Sequence, residues 1–271
     1  MLAKTLSLSV LTFREGVRDR AIIGIGLFAA VMMSVTLVVI SLFMRELSKV
    51  AVDINLSAFS LSGLLLTFFL SITLMAKDID KKTIYCVMSK PLSRSQYIWG
   101  KYCGILFIIL TAFAVLTVFS SLTIALAKLQ YANWFTSFSW MEYYKAVYAL
   151  FLMFAVLNAM VIFFSSITTS SFITLLFSIC TYIAGQTIEE VVIFLKSGAG
   201  QAAHISEPIS RMLDIIQYVL PNLSVFDLKV QASHAIFISW NYIAWISLYA
   251  CIYSTILLIA ASMIFSKREL A

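Results

Sequence analysis

Residues Ala58 to Ala76 read AFSLSGLLLTFFLSITLMA. No side chain in this stretch ionises, and a helix with this composition could not sit on the surface of a water-soluble domain. About 20 apolar residues are needed to cross the hydrocarbon of a bilayer, with a usual range of ~17–25. The stretch therefore predicts a membrane-spanning helix.

Working outward, five more stretches lack Asp, Glu, Lys, Arg and His: 21–43, 102–127, 146–168, 171–188 and 242–265. The expected fold is an all-α membrane protein, with six transmembrane helices forming one transmembrane domain over residues 1–271. The fifth span is the shortest. It meets Glu189 and Glu190, then continues apolar through Val191 to Leu195, which reads as one helix leaving the membrane near the two glutamates. Composition agrees: 62% of residues are hydrophobic, mean hydropathy is +0.98 and 12% are charged, against roughly 25% charged in soluble domains. A transmembrane barrel would show short alternating segments, and none occur.

Lys and Arg in loops set orientation, because they resist translocation. With six spans both termini share a face. That face carries twelve Lys and Arg, six of them in the 77–101 loop, against seven on the other. Both termini are expected to be cytoplasmic, in a plasma membrane. Trp134, Trp140, Trp240, Trp245, Tyr143, Tyr144 and Tyr242 fall near the outer ends of spans three, four and six, as an interfacial aromatic belt would. Charges from Arg14 to Arg20 interrupt any early apolar core, which speaks against a cleavable signal peptide.

Several functions are disfavoured. The net charge of +6 is dispersed at span ends, so no nucleic-acid partner is expected. Cys86, Cys103, Cys180 and Cys251 form no C-x-x-C pair, and His204 and His234 are isolated, so neither a metal site nor a disulfide framework follows. There is no phosphate loop and no G-x-S-x-G elbow, hence no catalytic constellation and no cofactor site in this chain. The charge-free spans lack the buried ionisable groups that ion-driven carriers use. Asn158 and Gln186 read as hydrogen bonds between helices. Energy for transport would then come from a partner.

Three segments outside the spans stand out. In the first twenty residues Leu6, Val10, Phe13 and Val17 recur at helical spacing, with Arg14, Arg18 and Arg20 on another face. This predicts an interfacial helix on the cytoplasmic bilayer surface; a basic tail that only sets topology is the alternative. The 77–101 loop, KDIDKKTIYCVMSKPLSRSQYIWGK, predicts a short helix over Asp78–Met88, ended by Pro91. Ser93 then caps the helix entering span three. An ordinary positively charged loop is the blander reading. Between Pro208 and Pro221, Ile209, Met212, Leu213, Ile216 and Leu220 form the apolar face of an outer amphipathic helix before span six, a lid or a structural cover.

The 77–101 loop resembles the permease subunits of ABC-2 type exporters. These carry a pattern close to E-I-x-x-G-T-I, then P-L-S-R, then G-K. Here the run is Asp78-Ile79-Asp80-Lys81-Lys82-Thr83-Ile84, Pro91-Leu92-Ser93-Arg94 and Gly100-Lys101, with aspartate for glutamate and Lys82 for glycine. The likeness extends to Arg14, Glu15 and Arg18 to Arg20, and to Pro221-Asn222 and Phe226-Asp227. It is nearest the branch for multicopper-enzyme maturation, including nitrous oxide reductase assembly. The resemblance implies a homodimer served by two copies of a separate ABC ATPase, which holds the ATP and Mg. It implies that Asp78–Met88 is a cytoplasmic coupling helix. Asp78, Asp80, Lys81, Lys82, Thr83 and Ile84 would touch the ATPase, and Pro91, Arg94 and Lys101 would anchor the helix that carries the force. Export at the dimer interface is the expected function. The alternative is a subunit that passes ATPase motion to an accessory protein on the outer face.

Overall fold

The computed structural model describes residues 2–18, 21–42, 46–76, 78, 93–132, 135, 138–196 and 220–267. Among them every regular element is helical: α1 (Leu2–Arg18), α2 (Ala21–Leu42), α3 (Leu47–Ser71, running into a π-helix at Ile72–Ala76), α4 (Arg94–Gln130), α5 (Trp140–Ile167), α6 (Ser171–Lys196), a short α7 (Lys229–Ser233) and α8 (Trp240–Lys267). Five stretches are long and apolar enough to cross a membrane: Leu47–Met75, Arg94–Gln130, Trp140–Ile167, Ser171–Phe194 and Trp240–Lys267. The remaining charge-free stretch, 21–43, falls on α2, a helix of 22 residues. The expected helices at 78–88 and 208–221 lie outside the described residues, apart from Asp78 and positions 220 and 221.

The helices outrun the charge-free windows that announced them. α4 has 37 residues, about 55 Å at 1.5 Å per residue, against roughly 30 Å of hydrocarbon. Its start is set by a reciprocal cap. Ser93 Oγ accepts from the Gln96 N–H (3.3 Å), and the Ser93 N–H donates to Gln96 Oε1 (3.0 Å). α3 likewise begins well before residue 58 and carries Asp53 near its first turns.

α5 is the hub. It packs against α3, α4, α6 and α8, and from Glu142 to Ser166 most side chains are buried, the exceptions being the exposed Tyr144 and Tyr148 and the partly exposed Phe151, Phe163 and Phe164. Lipid removes the hydrophobic drive between helices, so close packing and hydrogen bonds must hold them. Gly63 of α3 lets the Phe154 ring of α5 approach closely. Asn158 of α5 accepts from Ser71 Oγ of α3 (2.9 Å) and donates to the Tyr102 carbonyl of α4 (3.3 Å), joining three helices at one buried side chain. Gln186 of α6 donates to the Met153 sulfur of α5 at 3.1 Å. Both residues serve as interhelical links.

The aromatic belt divides. Trp240 and Trp245 are exposed and Trp140 partly so. Tyr143 instead is fully buried, its hydroxyl engaged with Ser120 of α4.

Candidate functional site

Where α3 exits, α4 begins and α8 finishes, three helices, α1, α3 and α8, converge on the first two turns of α4. Lys101 is 3% exposed, and its ammonium lies 2.9 Å from Asp78 Oδ2 and 3.7 Å from Glu15 Oε2 of α1. Tyr97, one turn earlier, donates its hydroxyl to the same Asp78 oxygen at 3.3 Å. Its ring stacks on Phe265 of α8, with centroids 5.9 Å apart. Arg94, one turn earlier again, donates to the carbonyls of Phe265 (2.9 Å) and Ser266 (3.2 Å). Those carbonyls belong to the last turn of α8, where a cation meets their acceptor capacity and the negative end of the helix dipole.

Spacing explains the alignment. Arg94, Tyr97 and Lys101 recur every three or four residues and share one face of α4. On the adjoining face Gly100 and Gly104 make a Gly-x-x-x-Gly groove that receives α1. A Cβ at Gly100 would stand 2.7 Å from Leu8, and one at Gly104 would stand 2.9 Å from the Ser9 carbonyl oxygen. Gly16 of α1 meets Ile108 in the same way. Partners rise in step along both chains, so α1 runs parallel to the start of α4. The buried side of α1 is thus Leu8, Ser9, Thr12 and Gly16. Of the stripe singled out from periodicity, Leu6, Val10 and Val17 are exposed and Phe13 is partly buried.

The structure therefore brings together Glu15, Asp78, Arg94 and Lys101 among the residues expected to act. Arg14 is exposed on α1, and Arg18 belongs to its last turn. Arg20, Asp80, Lys81, Lys82, Thr83, Ile84 and Pro91 lie outside the described residues. Tyr97 and Gly104 were not singled out beforehand, and Gly100 only within the Gly100-Lys101 run. The Gly-x-x-x-Gly spacing is the signal that would have found the glycine groove.

The opposite end has two junctions of its own. Glu142 and Lys145 of α5, both about 5% exposed or less, pair at 3.0 Å. Each also takes one main-chain group of Ile238: Glu142 accepts its N–H (2.9 Å) and Lys145 donates to its carbonyl (2.6 Å). Phe237 and Trp240 place their rings 4.9 and 4.8 Å from the ammonium. The segment 221–226 is seated between α6 and α8. Glu189 accepts from Asn222 (3.2 Å) and from the Ser224 hydroxyl, the Leu223 N–H donates to the Gly185 carbonyl (2.9 Å), and Tyr249 accepts from the Asn222 N–H (2.9 Å). Among the described residues no three His, Cys, Asp or Glu converge as metal ligands would.

A bundle of apolar helices, tied by ionic junctions at its ends and carrying no reactive constellation among the described residues, defines a multi-pass membrane protein. Residues 7–270 match the family described as ABC-2 family transporter protein, and the chain belongs to that family. It is a membrane permease component of an ABC transporter, a family whose membrane subunits work with an ABC ATPase. No curated protein matches the sequence.

Proposed function

We propose that this chain is the export permease of an ABC transporter, working as a homodimer with two ATPase copies that hold ATP and Mg. Six spans, α2 among them, place both termini and the 79–92 segment in the cytoplasm, at the plasma membrane of a bacterium (its inner membrane). The segment is the coupling helix, and Asp80, Lys81, Lys82, Thr83 and Ile84 contact the ATPase. The likeness to the multicopper-enzyme maturation branch extends the reading to a system that assembles such an enzyme.

The observation that carries this reading is the Asp78–Lys101 ion pair. Asp78 stands immediately before the 79–92 segment, and Arg94, Tyr97 and Lys101 immediately after it. Ionic and hydrogen bonds hold the two flanks together. A push on a segment whose base is tied in this way cannot be absorbed by the base spreading. It passes instead into α3 and α4, and through Glu15 and Arg94 into α1 and α8.

Co-purification tests the assignment. The wild type retains its ATPase, and Asp80→Lys with Lys82→Glu releases it; retention by the double variant overturns the docking role. A second reading, force transfer to an outer-face partner without substrate transit, is favoured by the junctions that bind 221–238 to α5, α6 and α8. Flux into inside-out vesicles separates the two, since only a permease accumulates cargo when ATP is supplied.

A further inference from the structure

Between α2, α3 and α4, in the half of the bundle away from Lys101, lies a cavity of about 240 Å³ including its open mouth. Asn55, Ser120 and Thr123 supply its polar lining and Phe59 part of its apolar wall. Asn55 is 4% exposed, and its amide nitrogen donates to the Ala51 carbonyl at 2.7 Å. Its amide oxygen has no partner among the described residues. Thr123 spends its proton on the Phe119 carbonyl (2.9 Å), and Ser120 is engaged with Tyr143, so both oxygens retain lone pairs. The polar lining therefore offers mainly acceptors, beside the second N–H of the Asn55 amide. No ionisable side chain lines the cavity, so a charged ligand would be bound without a counter-charge.

The way in is from the lipid. Among the lining residues only Met32 and Phe119 are partly exposed, so the mouth lies between them. Exposed Val35 and Val118 flank it. Asn55 is eight residues from the start of α3 and Thr123 seven from the end of α4, each about 11–12 Å along the helix axis. Met32 stands midway along α2, so the cavity lies between that level and the end of the bundle where α3 begins, and a lipid of that leaflet meets its mouth. The inner part of the cavity admits a group about the size of a water molecule.

We infer that this cavity binds an uncharged lipid alcohol, with its hydroxyl donating to the Asn55 amide oxygen and its chain leaving between Met32 and Phe119. The Asn55 amide oxygen opens on the cavity with no donor among the described residues, and a hydroxyl of this size supplies one. The site is independent of ATPase docking and stands whether or not the 79–92 segment is the coupling helix.

The test uses the full chain in nanodiscs with a diazirine-tagged monoacylglycerol as probe. Photolabelling is expected on the peptides bearing Met32 and Phe119, and excess untagged monoacylglycerol should suppress it. The probe's dimethyl ether, which has the same chain but both glycerol hydroxyls methylated and so no donor at its head, should label at least fivefold less. Asn55→Leu, and Ala58→Leu which fills the space, should each reduce labelling by a similar factor while remaining monodisperse. If either variant fails to fold, Thr123→Val and the ether comparison on wild type decide the matter. Equal labelling by alcohol and ether, or label spread evenly over the lipid-facing helices, overturns the site and leaves a cavity that holds water.

Discussion

The Arg94 guanidinium donates to the main-chain oxygen of Phe265 at 2.9 Å, joining the first residue of α4 to the last turns of α8, 171 positions away. With Tyr97 stacked on the Phe265 ring, the beginning of one long helix holds the end of another. Replacing Arg94 by Met leaves the Phe265 and Ser266 carbonyls without that donor. Hydrogen bonds to charged groups contribute about 1.5–3 kcal/mol each. Hydrogen exchange in nanodiscs should show faster amide exchange over residues 262–267 and no change in the middle of α5; an unaltered last turn would remove the cap from the account.

Lys101→Met leaves Asp78, whose side chain is 21% exposed, beside an apolar side chain. Breaking a fully buried pair by deleting one partner costs about 3–5 kcal/mol, and this pair, open to water on the Asp78 side, should cost less. Part of that should return in the double variant Asp78→Asn with Lys101→Met, which removes both charges of the pair and leaves only the half-exposed Glu15 carboxylate. A thermal-unfolding cycle measures the coupling. Strictly additive effects of the two substitutions would show that the pair does not act as a unit.

The groove on α4 should tolerate its two glycines differently. Alanine at Gly100 presses on the flexible Leu8 side chain, whereas alanine at Gly104 presses on the Ser9 main-chain oxygen. Backbone cannot turn aside, so Gly104→Ala should lift α1 from α4, at a cost of about 1–3 kcal/mol. Limited proteolysis reads this as cleavage within the first eighteen residues, faster for Gly104→Ala than for Gly100→Ala. Equal protection in both would mean that α1 is held elsewhere.

At the opposite end, exchanging the charges of Glu142 and Lys145 should fail to restore stability, although the pair itself would be preserved. Glu142 accepts the Ile238 N–H and Lys145 donates to the Ile238 carbonyl. In Glu142→Lys with Lys145→Glu a donor faces the N–H and an acceptor faces the carbonyl. The doubly exchanged protein is expected to be no more stable than Lys145→Met, and its Trp240 fluorescence should report a displaced ring. Recovery to wild-type stability would confine the interaction to the two side chains.

Alanine at Gly185 tests the seating of the distal segment. Its Cβ would stand 2.6 Å from the Pro221 carbonyl oxygen, so residues 221–226 must move away from α6. Hydrogen exchange at the Leu223 amide, which donates to the Gly185 carbonyl, should register the move as faster exchange; an unchanged rate would mean that the segment is held elsewhere.

Much of this was legible beforehand, and particular residues show why. The charge-free stretches foretold where long helices lie because lipid tolerates no ionised side chain on its face. Ser93 was readable as a cap because the reciprocal Ser-x-x-Gln bond closes within four residues. Asp78 was not readable in the same way. Its sequence neighbours suggest a solvent-facing helix start, and only Lys101, twenty-three positions on, makes it an internal anchor. Glu142 with Lys145 has the spacing of an ordinary surface pair, yet it is buried because the remote Ile238 backbone folds over it.

By itself the sequence determined the class of molecule, the identity of its long helices and the start of α4, since each depends on local composition or on bonds within one turn. The tertiary structure alone decided that α5 is the hub, that α1 rests on a glycine groove and that Asp78 is tied to Lys101. The reason is physical: a helix in lipid is apolar on all sides whether it touches lipid or protein, so hydropathy carries no record of which face is inside. Shape and a few polar side chains hold that information, and they act only when distant residues meet.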